Sequence, residues 1–340
     1  MGDDLRDVKI ILAHEEGAYQ PCVLSGILEI SPSKSVVIAE IQVKLIGQAY
    51  ISLASSERRE DFIDIVQTIF PTSDKPISKQ VETTLQENVR YTLPFSFQLM
   101  NHLPSSLELN STYSGVTAYV RYYIESLIIR PKNALSHKCR REFKFRQTRD
   151  LANIPGYSMP KIYQKSHRGG VFGLTSVHLS CELDRIAYYL GETISLKIAV
   201  DNSERKVQTK FVIAQLVQDV GLIEKEDDHR SLHKCCTIKV LQSQILADSV
   251  QTKQCMILSD VQLDIQPVTD LVPSVETRRS IMFNYAVVVK VIIDEKSKLS
   301  LKIPIIVAQR NSLFVIKLLL KVLGLYKHHE SGEWNQKNIQ

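Results

Sequence analysis

Residues 193–200, TISLKIAV, alternate without a slip: Ile194, Leu196, Ile198 and Val200 point one way, Thr193, Ser195 and Lys197 the other. A period of two belongs to a strand with one face on a core and the other in water, and it excludes a helix there. The same alternation sets Ile41, Val43 and Leu45 against Gln42 and Lys44, and Leu299, Leu301 and Ile303 against Ser300 and Lys302. Phe143 and Phe145 alternate with Lys144 and Arg146. YYIESLII (122–129) and YAVVVKVII (285–293) are apolar almost throughout and predict strands buried on both faces. SPSKS (31–35), DNSER (201–205) and DEKSK (294–298) punctuate these runs as turns do. The fold class is all-β, built of antiparallel, immunoglobulin-like β-sandwiches.

The pattern occurs twice. AYQPCVLSGILEI (18–30) and AYYLGETISLKIAV (187–200) both place Ala-Tyr before a turn and a strand. FQLMNHLPSS (97–106) and LDIQPVTDLVPSV (263–275) both place an apolar-Pro-Ser corner before the next long strand. Tyr19 and Tyr189 lie 170 residues apart, Pro104 and Pro273 169. Two marks at nearly one offset predict a duplicated domain, and 340 residues suit two cores better than one. Between them, 151–175 holds Pro155, Pro160 and several glycines and shows no sustained period, so it reads as a linker. The expected division is a sandwich over 5–150, a linker over 151–175, a sandwich over 176–310 and a tail over 311–340.

The order of these segments resembles the arrestin-domain-containing proteins, or α-arrestins, over roughly 5–310. The resemblance lies in Tyr19-Gln20-Pro21 followed by Gly26, in VKLIGQAY (43–50), in LPFSFQLMNHLPSSL (93–107) and in YVRYYIESLIIRP (119–131). In the second half it lies in 177–207 and in LKIPIIVAQ (301–309). Cys22 stands where the family has a Gly, and Leu190 where it has a Pro before Gly191; both are turn positions. The resemblance implies a non-enzymatic adaptor that binds membrane-protein cargo or receptor tails and directs their trafficking, endocytosis or turnover. It also implies a cytoplasmic protein with peripheral contact to plasma membrane and endosomes. Many members recruit ubiquitin ligases through PPxY motifs, but no two prolines are adjacent here, so a ligase is expected only indirectly. The alternative is a sorting-coat subunit of the retromer type, which has the same fold.

Composition agrees with a cytoplasmic adaptor. Six scattered cysteines show no CxxC pair, as expected of a reduced compartment. The opening MGDDLRDVKIILAHEEG is acidic and lacks the apolar core of a secretory signal. Net charge is +5, too mild to argue for nucleic acid.

Catalytic motifs are not found: no GxSxG, HExxH or GxxxxGK[ST]. RGGVFGL (168–174) does not open a helix after a strand, so a phosphate-cradling loop loses to a flexible connection. HRSLHKCC brings His229, His233, Cys235 and Cys236 close in sequence. Adjacent cysteines on a strand face opposite sides, so the expectation is a polar loop entering a strand at Cys235 rather than a metal site. An enzyme would need that loop to meet Cys139 or Cys181. No catalytic residue, metal or cofactor is therefore expected.

Two surfaces remain as candidates. KCRREFKFRQTR (138–149) presents Lys138, Arg140, Lys144 and Arg146 on one side, suiting phosphate head groups or a phosphorylated tail, with Arg141 interrupting. SLFVIKLLLKVLGLY (312–326) has helical periodicity with Lys317 and Lys321 four apart among Leu313, Phe314 and Leu320. It is too short to cross a bilayer and predicts a short helix that packs on the protein, on a partner or in a membrane interface.

Overall fold

A computed structural model describes residues 4–310 except 6, 14–17, 20–22, 54, 72–81, 101–102, 112–114, 132–134, 170–174, 204–208, 227–228, 248–253, 267–270, 278 and 294–296. The predicted tail helix, with Leu313, Phe314, Lys317, Leu320 and Lys321, lies outside the described residues.

The first domain runs through β1 (Asp7–Leu12), β2 (Ala18–Tyr19), β3 (Val23–Ser31), β4 (Val36–Ile38), β5 (Glu40–Leu53) and β6 (Ser56–Phe70). It continues with β7 (Thr83–Leu85), β8 (Tyr91–Gln98), β9 (Leu107–Ser111), β10 (Val116–Ile129), β11 (His137–Phe143) and β12 (Phe145–Arg146). The second holds β13 (Lys161–Gly169), β14 (Thr175–Leu183), β15 (Ala187–Tyr189), β16 (Thr193–Asp201) and β17 (Phe211–Glu226). After these come β18 (His229–Ala247), β19 (Cys255–Asp264), β20 (Val275–Glu276), β21 (Ile281–Ile292) and β22 (Lys298–Ala308). In the first domain a sheet ordered β1-β3-β8 stands with one ordered β11-β10-β5-β6, β9 also pairing β10. In the second, β13-β14-β16-β19 stands with β15-β22-β21-β17-β18, β20 also pairing β21.

The alternation read from sequence is the alternation of burial. Ile194, Leu196, Ile198 and Val200 are all within 2% of full burial, and β5 buries every second residue from Ile41 to Leu53. The doubly apolar runs are buried on both faces, Tyr122 through Ser126 and Tyr285 through Val289 without a break. At Tyr189-Leu190-Gly191-Glu192 the Glu192 N–H donates to the Tyr189 carbonyl. Gly191 has φ +88°, the left-handed value that the third residue of this tight turn demands of a glycine.

The duplication is visible atom by atom. In the first domain the Ser106 N–H donates to the Phe145 carbonyl and the Phe145 N–H donates to Ser106 Oγ. In the second the Ser274 N–H donates to the Val307 carbonyl and the Val307 N–H donates to Ser274 Oγ. Each Pro-Ser corner thus grips the last strand of its own domain. The long strand beside it reinforces the grip: Tyr122 Oη donates to the Pro104 carbonyl and Tyr285 Oη to the Val272 carbonyl. Parallel pairing of β2 with β12 sets Tyr19 beside Arg146, and that of β15 with β22 sets Tyr189 beside Ala308. Tyr19 and Tyr189 therefore hold one position in the two copies.

Two segments depart from the reading of sequence. Residues 161–169, placed in the linker, are β13, antiparallel to β14 from Lys161↔Leu183 to Gly169↔Thr175. They are an edge strand with little apolar surface to bury, so no period marked them. The polar loop expected before Cys235 is instead a long hairpin, in which β17 and β18 stay paired as far as Glu226↔His229.

Candidate functional site: sheet edges and the domain junction

Each sandwich has two corners where the edge strand of one sheet meets an outer strand of the other, and all four carry a side-chain clasp. At β1/β11, Cys139 Sγ lies 3.4 Å from the Val8 carbonyl and Arg141 Nη1 donates to the Ile10 carbonyl at 2.8 Å. At β8/β6, the Ser96 N–H donates to Gln67 Oε1. At β19/β18, Gln244 Nε2 donates to the Gln262 carbonyl and the Asp264 N–H to Gln242 Oε1. At β13/β22, Lys165 Nζ donates to the Ser300 carbonyl. Arg141 does not join the outward basic strip, because its guanidinium turns to the edge of β1.

β3 and β16 both follow an Ala-Tyr strand, and β8 and β19 both precede the Pro-Ser region, so β1 occupies in its sheet the place of β14. In the second domain the far edge of β14 is filled by β13, whereas among the described residues no strand pairs with the far edge of β1. Val8 and Ile10 turn their carbonyls outward, and in an antiparallel ladder the N–H of a residue points with its carbonyl, so their N–H groups face outward too. Ile11, Ile27 and Pro94 lie in one row across this sheet. With Ala13, Ser25 and Gln67 they line an open, mostly apolar hollow of about 640 Å³.

The four residues of the basic strip fall in different settings. Lys138 and Arg140 are exposed and share Glu125, at 4.0 Å and 2.8 Å, and the Arg140 guanidinium lies 4.8 Å over the Tyr123 ring. Lys144 is exposed between two buried phenylalanines, Phe143 and Phe145, both packed on Tyr122. Arg146 is half-buried and acts on Tyr285 of the second domain. Burial pushes the Tyr285 phenol up to about 12, against the Gln218 hydrogen bond and the Arg146 charge that favour its ionised form.

Between the domains, one carboxylate oxygen accepts two hydrogen bonds. Glu60 on β6 is 9% exposed, and its Oε2 accepts from the Arg279 N–H at 3.0 Å and from Ser280 Oγ at 2.9 Å. Thr277 Oγ1 orders that turn by accepting from the N–H groups of Ser280 and Ile281. At the other end of the junction, Arg149 N–H donates to the Gln309 carbonyl and Leu151 N–H to Tyr189 Oη. Nothing in sequence marks Glu60, because its partners stand some 220 residues away.

One arrangement has a catalytic look. Ser166 Oγ lies 2.7 Å from His178 Nδ1, Ser176 Oγ 2.7 Å from Nε2, and His178 sits across from Asp201. Both ring nitrogens are already engaged, on an exposed face where the β14 amides enter ladders on both sides. Among the described residues, no group of three or more His, Cys, Asp or Glu side chains is gathered for a metal. Cys181 is fully buried and its thiol is pushed up to about 12 by that burial. No helix among the described residues is long and apolar enough to cross a membrane.

Two sandwiches in tandem, each locked by a Pro-Ser corner, define an arrestin-type architecture. The family models "Arrestin (or S-antigen), N-terminal domain" and "Arrestin (or S-antigen), C-terminal domain" match residues 8–152 and 175–311, and the chain belongs to this family as an arrestin-domain-containing protein. It is 25% identical over 167 residues to Beta-arrestin-2 of Bos taurus, covering 48% of this chain and 39% of that one. It is 24% identical over 277 residues to Arrestin red cell isoform 2 of Oncorhynchus mykiss, covering 75% and 67%. Beta-arrestin arr-1 of Caenorhabditis elegans is 26% identical over 171 residues, covering 46% and 38%. The matched part of this chain thus spans from about two fifths to two thirds of these relatives.

Proposed function

We propose that the protein is a non-enzymatic adaptor that takes up an extended segment of membrane-protein cargo on the outer edge of β1 and directs the trafficking, endocytosis or turnover of that cargo. The observation that carries this is internal to the molecule: the equivalent edge in the second domain already holds a strand, β13. Strand addition supplies backbone hydrogen bonds, and every second side chain of the guest faces the apolar row of Ile11, Ile27 and Pro94. Arg141 releases Ile10 as the guest arrives. Lys138, Arg140, Lys144 and Arg146 favour acidic or phosphorylated segments, with Lys144, for which no ion pair is found among the described residues, making the larger contribution. The adaptor works in the cytoplasm, in peripheral contact with plasma membrane and endosomes, and the segment containing Leu313, Phe314, Lys317, Leu320 and Lys321 adds a membrane or partner anchor. The domains are 5–150 and, with β13 included, 161–310.

The test is a proline scan of the edge with a panel of fluorescent peptides from membrane-protein tails, unmodified and phosphorylated. Val8→Pro deletes an outward N–H and spares the ladder to β3, a place where an edge strand tolerates proline. Peptide binding is expected to vanish in Val8→Pro while both domains stay folded by circular dichroism. Undiminished binding by this variant rejects the β1 edge. Stoichiometric co-purification with one large partner, without peptide binding, favours the sorting-coat reading.

A further inference from the structure

β17 and β21 are inner strands of the second domain's larger sheet. Leu216, Tyr285, Val287 and Val289 point inward and belong to the main core. Val217, Ala286 and Val288 alternate with them, so they turn to the outer side, where they form a cluster of their own. An outer face is normally wet, yet these three are only 2%, 1% and 7% exposed, as dry as the core. Their ladder neighbours Val240, Pro304 and Lys302 are exposed.

The other small cluster apart from the main core, Leu151, Ile154, Ala187 and Ala308, has its cover in view, because the short helical turn at Leu151–Asn153 brings Leu151 to it. Among the described residues, no apolar side chain from beyond the sheet packs on Val217, Ala286 and Val288. An apolar sheet face is stable only beneath a second layer.

The chain carries a segment suited to be that layer. SLFVIKLLLKVLGLY (312–326) follows β22, and β22 lies beside β21. At helical spacing Lys317 and Lys321 fall on one side, and Val315, Leu319, Val322 and Tyr326 on the opposite one. As a helix the segment is about 22 Å long. Pro304, beside Ala286, stands four residues before the end of β22, a distance of about 14 Å. The segment is thus long enough to turn back over the cluster.

We propose that residues 312–326 dock as an amphipathic helix on the outer face of β17 and β21 of the same chain. Val315, Leu319 and Val322 cover Val217, Ala286 and Val288, and Lys317 and Lys321 stay in water. The docking deepens the reading of this segment as a membrane or partner anchor, and it rests on that reading in one respect: an apolar face seated on the protein is closed to a membrane, so anchoring requires release. The seat itself needs no membrane.

Leu319→benzoylphenylalanine, made in the full chain and illuminated without lipid, tests the seat. A crosslink within one chain to peptides of β17, β21 or β22 is expected by mass spectrometry. Val240→Lys with Pro304→Lys alters only exposed residues at the rim of the seat. It is expected to lower the crosslink yield at least about tenfold, the worth of one buried aliphatic contact, with the circular dichroism unchanged. Val322→Lys lies in the segment, away from the strands, and is expected to do the same. A crosslink into the first domain, a crosslink between two chains, or none at all overturns the proposal. A yield that neither variant lowers overturns it equally. Anionic vesicles added afterwards test the anchor separately: loss of the crosslink supports release, whereas an unchanged crosslink refutes anchoring and supports the seat.

Discussion

Removing the Glu60 carboxylate tests how the two domains are held. Both of its donors, the Arg279 N–H and the Ser280 hydroxyl, converge on one oxygen. Glu60→Ala strips the acceptor from two donors, the buried Ser280 hydroxyl and the half-buried Arg279 N–H. A hydrogen bond to a charged group is worth about 1.5–3 kcal/mol, and part is regained where water enters the space, so the expected loss is about 3 kcal/mol. Glu60→Gln keeps one acceptor oxygen for the same two donors and gives up only the charge, so its loss is expected near 1 kcal/mol. The assay is urea unfolding of the full chain followed by tyrosine fluorescence and circular dichroism. Two domains need not unfold together, and a bond that joins them is lost at the first transition, so that midpoint moves. With a urea slope of about 3 kcal/mol/M, the alanine variant moves it by about 1 M and the glutamine variant by a third of that. Equal losses in the two variants, or a shift confined to the last transition, refute the junction as described.

Gly47 admits no side chain, because a Cβ there stands 2.6 Å from the Phe62 ring and 2.9 Å from Ile63; Gly47→Ala is expected to cost about 1–3 kcal/mol by the same unfolding assay. Ser274→Ala opens the corner clasp of the second domain only, and hydrogen exchange is expected to quicken at the Val307 amide and not at Phe145, whose clasp is Ser106. Alkaline stability draws on several groups raised by burial, among them Cys181 and Tyr285, each to about 12. Their neutral forms are favoured in the fold, so this stability is complete below the unfolded values, about 8.5 and 10, and drains away as pH rises toward 12. Cys181→Ala is expected to flatten the lower part of that decline in a pH series of urea midpoints.

The fold was legible wherever a strand has one face on the core. Ile194 to Val200 and Ile41 to Leu53 advertise themselves because every second residue must leave water. The duplication was legible for a related reason: Pro-Ser recurs because Ser106 and Ser274 perform the same backbone grip. What escaped lies at the rim. On β13 the alternate positions Lys161, Tyr163, Lys165 and His167 include one aromatic residue and three polar ones, so no period survives to be read. The distal part of the β17–β18 hairpin, EKEDDHRSLHK, is likewise polar and gives no periodic signal. Of the basic strip, Lys138, Arg140 and Lys144 are exposed, but no local pattern tells that Glu125 shares two of them or that the Arg146 charge acts on Tyr285. The clasps were illegible because each pairs residues far apart in the chain.

The parallel contact of β15 with β22, from Ala187↔Ile306 to Tyr189↔Ala308, ties a segment near the entry of the second domain to the strand by which the chain leaves it. A pull between the entry and the exit drags such strands past each other lengthwise, so their bonds are strained together rather than opened in turn. Tension along that line loads the three-residue stitch as a unit before it reaches the sheet behind it.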